Sequence, residues 1–228
     1  AQGELRAALI AAVKEMELEE VVAVLRVHVA VARVAEGACL RLAVMSCPSL
    51  SAQAAATAAE AGALEAVVEA MRAHPQVAGV QEHGCRTLRN VCGGIDAVAP
   101  AYRQRAAEAG ALEAVVAAMQ AHPQVVSVQE HGCQTLRNVC SGINAVAPAY
   151  RQRAAEAGAL EAAVAAMQAH PQVVSVQEHA SATLRNVCSG INAAGLAYRQ
   201  RAAEAGALEA AVEAMQAHPQ VVDLQEHA

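Results

Sequence analysis

The sequence predicts an all-α chain, a right-handed α-solenoid of tandem three-helix repeats with a period of 48 residues. Three observations carry this expectation. The segment Ala106–Arg153 recurs nearly letter for letter as Ala154–Arg201, and a fixed period of this size is the signature of stacked supersecondary units. The composition is 55% hydrophobic, rich in Ala and Val, with three Tyr and neither Phe nor Trp; Ala ranks first in helix propensity, and a core without large aromatics must be thin. Leu112, Val115, Val116 and Met119 then fall at i, i+3, i+4 and i+7, the apolar stripe of a helix.

The frame divides the chain into a degenerate N-terminal capping repeat at 1–48, repeats at 49–105, 106–153 and 154–201, and an incomplete repeat at 202–228, all in one solenoid domain. Gly62, Gly110, Gly158 and Gly206 mark the period, as do Pro75, Pro123, Pro171 and Pro219. In the first repeat Leu18-Glu19-Glu20-Val21-Val22 matches Leu64-Glu65-Ala66-Val67-Val68, and Val29 replaces the proline. Such drift suits a terminal cap. Within one unit, Tyr102 to Ala109 reads as a short first helix stopped by Gly110, which suits a left-handed C′ position. A second helix ends near His122, Pro123 opens a third, and Cys133, Leu136 and Cys140 form the third helix's apolar face. Ser141-Gly142 closes it, and Asn144 to Pro148 reads as a loop.

Net charge is −6. Residues 202–228 hold Glu204, Glu209, Glu213, Asp223 and Glu226 with no Lys or Arg. Nothing forms the basic stripe that a phosphate backbone requires, which argues against nucleic acid as partner. The seven Cys read as reduced core residues in a chain too helical for a disulfide scaffold, pointing to an intracellular protein, cytoplasmic or nuclear. No apolar run is long enough to span a membrane.

One short and two longer helices per repeat, the Glu-Ala-Gly-Ala-Leu string at 108–112, the Pro between helices two and three and Thr135-Leu136-Arg137-Asn138 together resemble the armadillo-repeat family. HEAT repeats, their two-helix relatives, usually lack the short first helix. The resemblance covers essentially the whole chain and implies a protein-interaction scaffold whose third helices line a concave groove for an extended peptide.

Opposite its apolar face, helix three carries His131, Gln134, Asn138 and Ser141, with Arg137 at the edge. The period aligns His83, His131 and His179 in one ladder, Arg89, Arg137 and Arg185 in a second, and Asn90, Asn138 and Asn186 in a third. The resemblance implies that these asparagines clamp the guest backbone, since one amide supplies both donor and acceptor. Arg86, Gln134 and Ala182 stand where armadillo grooves for basic nuclear-import signals carry Trp, so the aromatic trough for Lys is missing. The arginines favour carboxylates or phosphates instead. Each has a blander use as well: Arg86 can pair with Glu82 four residues earlier, and Arg137 can bond carbonyls at its helix end. The asparagines have no obvious local job.

Enzymatic chemistry is not expected, because every notable polar residue recurs with the period whereas an active site needs unlike groups converging once. His74, His122, His170 and His218 read as caps at the end of helix two, and neither metal nor another cofactor is implied. Two other readings stay open: a structural subunit docking by its convex face or an end, and an engineered consensus-like repeat binder. Leu208, Val212 and Met215 keep the internal apolar pattern in the last repeat. Further repeats, a second copy or another protein are therefore expected to cover that end.

Overall fold

Ala, Leu, Glu, Gln and Arg fill the segments between the glycines and prolines, and such side chains lose little freedom on entering a helix. In the computed structural model every regular element among the described residues, which are 2–51, 53–94, 99–141, 147–190 and 192–227, is an α-helix. The chain forms two compact units, Ala1–Ala114 and Val115–Ala228.

The first unit contains α1 (Gln2–Val13), α2 (Leu18–Val27), α3 (Ala32–Met45), α4 (Ala54–Glu60), α5 (Ala63–Ala73), α6 (Ala78–Cys92) and α7 (Ala99–Ala109). Here α3 lies along α6, and α2 along α5; α4 and α7 lean on both α5 and α6. Leu25, Leu42, Leu64 and Leu88 lose all solvent contact between these helices, and each such burial stabilises by about 1.5–3 kcal/mol. The helix α1 holds the first-helix place of the 1–48 repeat, ahead of α2 and α3 as α4 lies ahead of α5 and α6.

After α8 (Ala111–Ala121), the second unit runs through α9 (Val126–Cys140), α10 (Ala147–Ala157), α11 (Ala159–Ala169), α12 (Val174–Val187), α13 (Ala193–Glu204), α14 (Ala207–Ala217) and α15 (Val222–His227). Helix α12 packs on α9 and α11, and α11 also touches α13 and α14. Leu136, Leu160, Val139 and Val187 are fully buried there.

Three boundaries differ from expectation. The first helix of the 106–153 neighbourhood starts at Ala99, not Tyr102; Pro100 sits in its first turn, where no N–H is required. Residues Ala147 and Pro148, expected in a loop, already belong to α10, while 142–146 lie outside the described residues. Pro123 does not open α9. It occupies the second position of a turn closed by Val125 N–H donating to His122 C=O at 3.1 Å, a place its fixed φ suits. The same turn recurs at His74–Val77 and His170–Val173.

The corner between helices one and two turns on one glycine. Gly62 and Gly110 hold φ of +88° and +87°, a region costly to residues with a Cβ. A Cβ there would also strike the guanidinium of Arg26 or Arg72, each of which donates to that glycine's own carbonyl, at 3.3 and 3.4 Å.

Candidate functional site

The helix-three stripe is real as a pattern but divided in its duties. In α6 the apolar face of Val80, Cys85, Leu88 and Val91 is buried, while His83, Arg86 and Arg89 stay half-buried on the other side. In the second unit His131, Gln134, Arg137, Asn138, His179 and Asn186 are half-buried and Arg185 is exposed.

The asparagines do have a local job. Asn90 is 2% exposed, and its Nδ2 donates to Ala43 C=O at 3.0 Å and Ser46 Oγ at 3.4 Å. Its Oδ1 accepts from Arg89 Nε at 3.2 Å. The last carbonyls of a helix lack intrahelical donors, and here the backbone leaves a specific gap. Cys47 N–H, four residues past Ala43, turns instead to Val44 C=O, so Asn90 supplies what Ala43 C=O lacks. Asn186 repeats this on Arg137 C=O at 3.0 Å, where Ser141 N–H has gone to Asn138 C=O.

The cations are less committed. Among the described residues Arg86 closes no ion pair with Glu82; Glu82 instead lies 4.0 Å from His83 Nδ1. Burial pulls the His83 pKa below its ordinary value, with Arg86 adding to the effect and Glu82 and Glu36 opposing it. Arg137 Nη1 lies 3.4 Å from His179 Nδ1; since guanidinium only donates, Nδ1 accepts and the ring proton sits on Nε2. Arg86 and Arg89 both act on Cys47, whose thiol lies 3.0 Å from Ser49 Oγ.

The cysteines divide likewise. Cys39, Cys85, Cys92, Cys133 and Cys140 are buried free thiols, but Cys47 and Cys188 are partly exposed, against the expectation that all seven lie in the core. Burial pushes Cys39, Cys92, Cys133 and Cys140 up to about 12. The hydrogen bonds from Ser49 lower Cys47.

The helix-two histidines bond across repeats rather than capping their own helix. His74 Nε2 meets Val29 C=O at 2.5 Å, His170 meets Pro123 C=O at 2.8 Å and His218 meets Pro171 C=O at 2.8 Å. A carbonyl only accepts, so each Nε2 carries the proton. No group of three or more potential metal ligands occurs among the described residues, and no described helix is long and apolar enough to cross a membrane.

Sequence reasoning missed two recurring devices. Gln81, Gln129 and Gln177 are 1–2% exposed, and each donates through Nε2 to two carbonyls at the end of helix two. For Gln177 these are Met167 and His170, both at 2.9 Å. Met167 C=O needs this donor because the residue four later is Pro171, which has no N–H. The signal was present: the glutamine sits on the apolar stripe, four residues before Cys85 in α6. The first repeat agrees, having Val29 for the proline and Ala35 for the glutamine. The second device is a fork. Arg105 binds both oxygens of Glu65 at 2.5 and 2.9 Å and reaches Ala59 C=O at 2.5 Å. Arg201 does the same with Glu161 at 2.5 and 3.1 Å and Ala155 C=O at 2.7 Å.

Compared with the models of known protein families and with curated proteins, the chain finds no match.

Proposed function

We propose that this chain is a non-enzymatic protein-interaction scaffold of armadillo type, an α-solenoid that holds an extended acidic or phosphorylated peptide on the surface of its third helices. The observation that carries the reading is the half-buried cluster of Arg86, Arg89 and His83 on α6. Its Arg86 guanidinium has no carboxylate partner among the described residues. A half-buried guanidinium without a carboxylate presents a planar fork to one from outside. In the second unit Arg137 and Gln134 on α9 and Arg185 on α12 hold the corresponding positions. Asn90 and Asn186 act here through the scaffold: their amide donors are taken by backbone carbonyls, and Asn90 is buried, so the cations rather than these amides hold the guest. Five buried free thiols fit a reducing, intracellular compartment.

The test is a panel of acidic, phosphorylated and Lys-rich peptides titrated against the chain and its Arg86→Ala and Gln134→Ala variants. Acidic guests should bind best, lose affinity as salt rises, and lose about tenfold on Arg86→Ala, the value of one charge-assisted hydrogen bond. A Lys-rich guest bound equally well, or affinity indifferent to both variants, removes the groove as the binding surface and leaves docking by another face.

A further inference from the structure

The surface around α14 differs from that of the equivalent helix α11 in one consistent way. Leu160 and Val164 of α11 are 0% and 2% exposed, whereas Leu208 and Val212, their counterparts in α14, are 66% and 47% exposed. Glu161 holds the Arg201 fork. Its counterpart Glu209 is exposed and meets no cation among the described residues. Beside these residues opens a cleft of about 450 Å³ lined by Ser181, Leu184, Cys188 and Leu208, with Arg185 and Arg199 also on its wall. Ser181 is 2% exposed and its Oγ has no hydrogen-bond partner, an unmet requirement in a mostly apolar recess.

We propose that this face of Leu208, Glu209 and Val212, with the adjoining cleft, docks a helix that carries an arginine on an alanine-rich flank. The chain supplies the precedent: α13 lies against α11 with Arg201 forked onto Glu161 and Ala202 buried. Charge decides between occupants. Glu204, Glu209 and Glu213 are exposed here with no Lys or Arg from residue 202 onward, and the two arginines of the cleft are engaged within the chain, Arg199 with the Cys188 and Gly190 carbonyls. A symmetric contact with a second copy would set these carboxylates against one another, and repulsion across a desolvated contact opposes it. Nor does a second copy bring a spare arginine at this repeat position, since Arg105 and Arg201 are held by Glu65 and Glu161 and Arg153 is also engaged. The occupant is therefore an arginine-bearing helix of another polypeptide, and its site meets the helix-three surface only at the cleft wall formed by Ser181, Leu184 and Arg185 of α12.

The probe is a synthetic peptide with the sequence of residues 193–207, kept helical by Gln200→Lys bridged to Glu204 as a lactam. In α13 those two side chains are exposed and 2.9 Å apart, so the bridge leaves the docking flank untouched. Calorimetric titration into the full chain should show saturable binding. Glu209→Gln in the chain should weaken it by about tenfold, as should Arg201→Gln in the peptide, and the two together should weaken it no further than either alone. Leu208→Glu should abolish binding while circular dichroism and melting stay as in the parent, because that side chain is exposed. Three results overturn the proposal: no saturation with the helical peptide, affinity unchanged by Glu209→Gln, or self-association of the chain in sedimentation that Leu208→Glu removes. The last would assign the face to a second copy.

Discussion

Replacing Gln177 by Met keeps the side chain's length and removes its amide. Two acceptors lose a donor. Met167 C=O is left with nothing, because Pro171 has no N–H to offer, whereas His170 C=O keeps the bond from Val173 N–H at 3.0 Å. An unsatisfied buried acceptor costs about 1–3 kcal/mol and a single lost bond about 0.5–1.5 kcal/mol. Burying a thioether in place of an amide returns part of this, so the net loss should be about 2–3 kcal/mol. With a urea slope of about 2 kcal/mol/M, the midpoint should fall by about 1–1.5 M in circular dichroism at a helical wavelength. The chain contains its own control. Gln225 makes the same pair of bonds, to Met215 and His218 at 3.1 and 3.2 Å, but is exposed. There water replaces the amide, and Gln225→Met should change the midpoint by less than about 0.3 M. If the two variants shift the midpoint equally, the cost does not come from desolvating an orphaned carbonyl, and the argument fails.

Two further expectations follow from the same accounting of donors and burial. Asn90→Ala should destabilise the chain by about 1–3 kcal/mol and Asn186→Ala by about 1 kcal/mol, because only the first leaves a deeply buried carbonyl unmet; equal melting shifts would contradict the ordering. Iodoacetamide with mass spectrometry should label Cys47 first, and at a lower pH than an ordinary thiol, because its pKa is lowered by Ser49 and the thiolate is the nucleophile. Cys39, Cys92, Cys133 and Cys140 should stay unlabelled until the chain unfolds, and labelling of these at the Cys47 rate in the native state would refute the burial assignment.

The helices were legible because their signals are short-range: apolar steps of three and four, a glycine at φ near +90°, a proline at each turn. Boundaries slipped where a residue serves more than one geometry. Pro123 satisfies the second position of a turn as well as the first turn of a helix, and sequence alone does not separate them. The polar stripe was legible as a face, yet the roles along it were not. Asn90 looks idle within its own helix, since its partner Ala43 lies 47 positions earlier. Gln177 was passed over for the opposite reason: it interrupts an apolar stripe, and an interruption on a core face signals a buried polar partner. The Val29 and Ala35 pair in the first repeat shows how that partner could be found, because proline and glutamine come and go together.

The cross-repeat bonds also bear on how such a chain can change length. His218 reaches Pro171 and His170 reaches Pro123, both across 47 positions, and the segment between these stations is copied almost without change. A recombination event that removed residues 154–201 would join Arg153 to Ala202 and bring His218 to the carbonyl of Pro123. Each donor would find the acceptor type it has now, and no compensating substitution would be required. Duplicating the same block leaves the junctions equally well matched. Insertions or losses of another size have to be taken up in a loop, as between Val29 and His74, which keep the bond across 45 positions, so the simplest length variants of this gene should differ by whole repeats.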